Sequence, residues 1–264
     1  MGFKELKNAR RYVVKVGTSS LTNENSRLDI GKIAYLVSEL MSLKEQGRYP
    51  LLVSSGAIGA GMGKLRITKR PESMSQLQAA AAIGQGTLMQ TYEYLFDNYD
   101  QLIAQVLLTK DDFTNPERYQ NLRNTLGTLL EWNVIPIINE NDTVATEEIR
   151  VGDNDTLAAY VAEGIDADVL IILTDVNGLY TGHPEKTESK LVRIVDEVTP
   201  EVENWASRDG KGFGGMFTKV QAAKKLADKG VATVIANAKE PDVLRKIFQG
   251  ETGTTFKPRG KADG

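Results

Sequence analysis

The chain contains no cysteine and a single histidine, His183. Disulfides and thiolate chemistry are thereby excluded, and with them a secreted disulfide scaffold. A Cys/His metal cage is excluded as well. No apolar run approaches the roughly 20 residues that a membrane-spanning helix needs. Residues 1–11 are polar and charged, with no apolar signal core. Charge of one sign is lacking too. Lysine and arginine number 32 against 35 aspartates and glutamates, a net charge of −3. That balance sets up no global field toward nucleic acid or membrane. The expectation is a cytoplasmic protein with neither among its partners.

What remains is 264 residues, 41% of them hydrophobic, which is ample for one large core. Short apolar runs recur at 12–16, 50–54, 103–108, 134–138, 169–173 and 233–235. Continuous runs of this length fit strands buried on both faces of a parallel sheet. Helical patterns lie between them. In 29–46, Ile30, Ile33, Val37, Leu40 and Met41 share a face; Asp29 caps the start and Gly47 ends it. Others are 74–99, a helix opened by Asn115-Pro116 and reaching about Trp132, 156–163, 218–229 and 242–248. The alternation predicts an α/β fold, a three-layer α/β/α sandwich with a mainly parallel open sheet. Polar or glycine-rich excursions are expected at 182–189 and 209–215, and a frayed tail at 257–264.

Two lysine-and-glycine segments carry the first chemical signal. Val13-Val14-Lys15-Val16-Gly17-Thr18-Ser19 places a lysine at the end of a buried strand. Gly214-Gly215-Met216-Phe217-Thr218-Lys219 places glycines before a helix and a lysine on its first turn. Glycine lets backbone N–H groups approach a phosphate, and a helix N-terminus attracts anions. Lysine adds a mobile point charge. Two such devices suggest a fold that closes both onto one polyphosphate. Taken singly, Lys15 also fits a lysine snorkelling at a strand edge, and Lys219 a solvated helix charge.

Further candidates follow other apolar runs, where ligands of open α/β sheets bind. The stretch from Ser54 to Gly63 is glycine-rich but matches neither a Walker A loop nor G-x-G-x-x-G. It reads as a tight turn with close helix packing, or as a site where Ser55 and nearby N–H groups hold a carboxylate or phosphate. Asn139-Glu140-Asn141-Asp142 and Gly152-Asp153-Asn154-Asp155 bring together more carboxylates and amides than capping needs. Asp142 suits a substrate amine. Asp155 fits a helix cap, or a carboxylate that orients two lysines. Thr174-Asp175 ends the run 169–173. His183, beside Pro184, reads as structural. With no His/Cys cluster, any metal is expected to be Mg²⁺ held mainly by nucleotide phosphates.

Six segments in this order resemble the amino acid kinase superfamily and, within it, the glutamate 5-kinases. They are Val14–Ser19, Ser55-Gly56-Ala57-Ile58, Ile138–Asp142, Val151–Asp155, Leu173–Asp175 with Gly178–Thr181, and Gly214–Lys219. The resemblance covers essentially the whole chain, in the short form lacking the C-terminal PUA domain of many relatives. It implies phosphorylation of the L-glutamate γ-carboxylate by ATP with Mg²⁺, the first step of proline synthesis. L-proline is the implied inhibitor and a homo-oligomer, dimer or tetramer, the implied assembly. Lys15, Lys219 and Asp155 are the implied catalytic residues. Ser55, Asp142 and Asn154 are implied to bind glutamate. Lys15, Thr174, Asp175, Phe213, Gly214, Gly215, Met216, Phe217, Thr218 and Lys219 are implied to bind ATP. A single kinase domain is expected over 1–264. About 1–168 would take the amino acid and about 169–264 the nucleotide. His183 and Phe213 depart from the residues usual at their positions, Asp and Thr. The rival readings are a sibling kinase acting on acetylglutamate, aspartate, carbamate or a nucleoside monophosphate, and a non-catalytic sensor on the same fold.

Overall fold

A computed structural model describes residues 4–25, 27–145, 154–182, 188–207 and 215–259. In chain order the elements are α1 Lys4–Asn8, β1 Arg11–Val16, a 3-10 turn at Thr18–Ser20, α2 Ile30–Glu45, β2 Tyr49–Ser54 and α3 Ala57–Leu65. Then come α4 Met74–Asp97, β3 Ile103–Leu108, α5 Asp111–Thr114, α6 Pro116–Glu131, β4 Ile135–Glu140 and α7 Asn154–Gly164. The remainder is β5 Val169–Thr174, β6 Ile194–Val195, α8 Pro200–Ser207, α9 Met216–Ala227, β7 Ala232–Asn237, α10 Val243–Gln249 and β8 Thr254–Phe256.

One eight-stranded sheet runs β3-β4-β2-β1-β5-β7-β8-β6. Every pairing is parallel except β7 with β8. Residues alternate between two cores, as the two-residue period of a strand requires. Tyr12, Val14 and Val16 join α2, α4 and α10 on one face. Val13, Leu51, Val53, Leu170 and Ile172 join α6, α7, α8 and α9 on the other. The sandwich is therefore three-layered, as expected. Among the described residues no helix is long and apolar enough to cross a membrane.

Two expected helix starts hold in detail, while α7 and α9 begin two residues before the expected 156 and 218. The Asp29 carboxylate accepts the Lys32 N–H at 3.2 Å, and Asn115 accepts those of Glu117 and Arg118 ahead of Pro116. Three differences matter. The glycine-rich 57–65 segment is a helix, not a loop. A Cβ on Gly61 would lie 1.8 Å from the Ala80 carbonyl, and one on Gly84 equally close to that of Ala57. These glycines are what allow α3 and α4 to touch backbone to backbone, contact that outweighs poor helix propensity. The strand expected at 134–138 runs on through Asn139 and Glu140, carrying both to the sheet's C-terminal edge. β6 and β8 have only two and three residues, too few for a legible period.

The topology sets the site. From β1 the chain adds β2, β3 and β4 on one side, then crosses to place β5 on the other. Strand order thus reverses beside β1, the kind of switch point where open α/β sheets bind ligands.

Candidate active site

Lys15 pairs in register with Val53 of β2 and Ile172 of β5. Alternation points it to the face of Val13, toward α7 and α9. There its Nζ meets Asp155 Oδ1 at 2.8 Å. Asp155 is the second residue of α7, and its other oxygen takes Lys219 Nζ, also at 2.8 Å. Lys219 is the fourth residue of α9, so it projects from that helix's first turn. Relative exposure is 3% for Lys15, 0% for Asp155 and 6% for Lys219. Two lysines from opposite ends of the chain thus meet at one buried carboxylate. The Asp155 carboxylate is therefore placed to orient two lysines.

Thr218 sits beside this cluster. Its hydroxyl lies 2.9 Å from both Asp155 Oδ2 and the Gly215 carbonyl, with one proton to share between them. Met216 packs against the α7–α9 core, and Phe217 is exposed.

Asn154 adjoins Asp155 and links the cluster to a neighbouring cavity. Its Nδ2 lies 3.0 Å from the Ser54 carbonyl, 2.9 Å from Ser55 Oγ and 3.0 Å from Asn139 Oδ1. Two protons cannot serve three acceptors fully, so the contact to Ser55 is one a ligand can replace. Asn139 is fixed in turn by its own bonds to the Glu140 N–H and to Gln85 Oε1. The Ser55 N–H donates to the Val16 carbonyl at 3.1 Å, which ties the start of α3 to the end of β1. Gly56 takes a left-handed φ of 104° to open α3.

The cavity so formed measures about 310 Å³. Ser55, Asp142 and Asn154 all line it, joined by Gly17, Thr18, Asn139, Glu140 and Arg70. The three expected substrate residues are therefore together. Glu140 and Arg70 were not singled out. Glu140 was within reach, since it belongs to the same motif as Asp142. Arg70 stands in an irregular connection with no motif around it.

Thr174 and Asp175 do not face this cavity. They line a larger one of about 670 Å³ beneath α2, with Tyr35, Glu39 and Lys239. Burial pushes the Glu39 carboxyl up to about 7, against weaker opposing bonds from the Leu244 N–H and the Tyr35 hydroxyl. Phe213, Gly214, Gly152, Asp153 and His183 lie outside the described residues. Among the described residues no group of three or more His, Asp or Glu could hold a metal ion.

Comparison with known proteins agrees with this architecture. Residues 10–237 match the model of the Amino acid kinase family. A protein from Caldanaerobacter subterraneus subsp. tengcongensis named Glutamate 5-kinase is 51% identical over 94% of this chain and 68% of its own length. One of the same name from Clostridium acetobutylicum is 46% identical over 98% of each chain. Among solved structures, carbamate kinase from Giardia lamblia bound to AMP-PNP superposes with a TM-score of 0.68 at 18% identity. That match covers 95% of this chain and 99% of the other. An isopentenyl phosphate kinase structure gives 0.65 at 18% identity, over 94% and 100% of the two chains. At such identities the structural matches speak to fold alone, whereas the sequence matches go further: the chain belongs to the amino acid kinase family and, within it, to the glutamate 5-kinases.

Proposed function

We propose that this protein transfers the γ-phosphoryl group of ATP to the γ-carboxylate of L-glutamate, forming glutamyl 5-phosphate and ADP. The observation that carries the reading is the meeting of Lys15 and Lys219 at Asp155, next to the cavity of Ser55, Asp142 and Asn154. The nucleophile is a carboxylate, already ionised at neutral pH, so the reaction needs no general base. A carboxylate oxygen bonds to the γ-phosphorus, and the bond from that phosphorus to the bridging oxygen breaks. ADP leaves with the electron pair.

The obstacle is anion against anion. Two unit charges about 4 Å apart repel by roughly 4 kcal/mol at an effective dielectric of 20. Lys15 and Lys219, held by Asp155, offset that repulsion and stabilise charge spread over the transferring group. The N–H groups that open α3 add a partial positive charge at Ser55. Thr174, Asp175 and the segment ending at Lys219 are assigned to the nucleotide, with the exposed Phe217 ring offering it an apolar face. Mg²⁺ is assigned to the nucleotide phosphates, since among the described residues no group of three or more His, Asp or Glu could hold it. Bound with the nucleotide, the ion would neutralise phosphate charge.

Residues of about 1–168 take the amino acid, and those of about 169–264 the nucleotide. Relatives bearing the name Glutamate 5-kinase support this acceptor, as does the cavity's mixture of carboxylates and one guanidinium. Placement at the start of proline synthesis, inhibition by L-proline and assembly into dimers or tetramers complete the reading.

The test is ADP release with ATP·Mg and L-glutamate, beside aspartate, N-acetylglutamate and UMP, with and without proline. Hydroxylamine traps the acyl phosphate as a hydroxamate. Glutamate-dependent hydroxamate, suppressed by proline, is expected. Turnover only with another acceptor would move the protein to a sibling activity, and nucleotide binding without turnover would make it a sensor.

A further inference from the structure

Resting on the glutamate reading above, we infer that Arg70 recognises the α-carboxylate of the amino-acid substrate. Glutamate brings three charged groups. Its γ-carboxylate must face the phosphoryl donor and hence the lysines. The α-ammonium and α-carboxylate are left for the rest of the cavity.

The lining suits that pair of charges. Glu140 and Asp142 supply two carboxylates, and among the described residues Arg70 is the one basic side chain that lines the cavity. Arginine stays charged at any working pH and presents a flat fork of donors that matches a carboxylate. Glu140 is buried and Asp142 half-buried, while Arg70 is exposed. Glu140 and Asp142 already have partners within the protein; among the described residues Arg70 makes no ion pair or side-chain hydrogen bond. It is therefore a cation available for an incoming anion.

The framework separates the two ends of the substrate. Ser55 and Asn154 sit at the lysine end, since Ser55 is bonded to the end of β1 and Asn154 precedes Asp155. Arg70 stands on the connection 66–73, which leads from α3 into α4. Gln78 of α4 donates to the Ala145 carbonyl at 3.0 Å, fastening the start of α4 to the turn that holds Asp142. Arg70 and Asp142 thus belong to one rim, where an ammonium and a carboxylate on the same carbon are met together. Pro71 stiffens the chain just after Arg70. The neighbouring ion pair of Lys69 with Glu72 is in solvent, and neither residue lines the cavity.

The experiment compares the full chain with Arg70→Gln and Arg70→Lys. Acceptors are L-glutamate and its α-amide, followed as substrate or as competitive inhibitor. Arg70→Gln is expected to raise KM for glutamate about tenfold or more, the size of one charge-assisted pair, with kcat within about twofold. For the α-amide, which carries no α-carboxylate, the same variant should change the constant by less than about twofold. Arg70→Lys keeps the charge without the fork and should fall between. An unchanged glutamate KM in Arg70→Gln, or equal losses with both acceptors, would overturn the role while leaving the kinase reading intact. Absence of glutamate turnover in the unmodified protein would remove both.

Discussion

The Lys15–Asp155–Lys219 cluster and the Arg259 pairs use the same chemical groups in opposite settings. Arg259 bridges Asp228 and Glu197 with every partner at least half exposed. Water screens such contacts, and they are worth about 0–1 kcal/mol each. The buried cluster has lost that water. Removing a charge from solvent costs several kcal/mol before attraction repays it, and a hydrophobic replacement is often as stable. A core that needed only stability would have no reason to retain three charges at the end of its central strand. The difference points to work done on something bound there.

The comparison can be broken from the buried side first. Asp155→Ala strands two lysines in the core. Unfolding in urea should show a loss of about 3–5 kcal/mol, and hydroxamate formation should fall below detection. A loss no larger than that of a surface pair would mean that water reaches the cluster freely. Next comes the half-buried Asp142. Asp142→Ala should raise the glutamate KM about tenfold while nucleotide affinity holds, as read by titration with an ATP analogue. An unchanged KM would remove Asp142 from the substrate.

Glu39 sharpens the contrast, because it is a buried carboxyl without a lysine. Its folded pKa of about 7 lies above the ordinary 4.5. The folded state therefore binds the proton more tightly. The contribution of Glu39 to stability should be greatest below about pH 4.5, fall as pH rises to about 7, and stay level beyond. Glu39→Gln should abolish that slope and gain about 1–2 kcal/mol at pH 8, allowing for partial screening. A wild-type slope in the variant would contradict the assignment. The smallest effect belongs to the surface. Arg259→Ala should cost about 1 kcal/mol or less and vanish in high salt. A salt-resistant loss of several kcal/mol would erase the distinction between the two settings.

Much of this arrangement was legible in the sequence, and the reasons are local. Strands buried on both faces leave continuous apolar runs, so β1, β2, β4, β5 and β7 stood out; β3 stood out too, although at the sheet's edge only its Leu108 is buried. Asp29 and Asn115-Pro116 mark helix starts because capping is written within four residues. Lys15, Asp155 and Lys219 were readable because each belongs to a recognisable motif. What was hidden depends on distant partners. α3 has glycines that argue against a helix until Ala80 of the facing α4, which Gly61 touches, is known. β8 exists only by pairing with β7 and β6. Arg70 joins the cavity through the path of the 66–73 connection, which no spacing reveals.

The most direct test of the central claim is glutamate-dependent hydroxamate formation by folded Lys219→Ala. If Lys219 stabilises the transferring phosphoryl group, kcat should fall about 100- to 1,000-fold while the glutamate KM stays within about twofold. A variant that folds and turns over at the parental rate would contradict the account, leaving the buried lysine a structural charge.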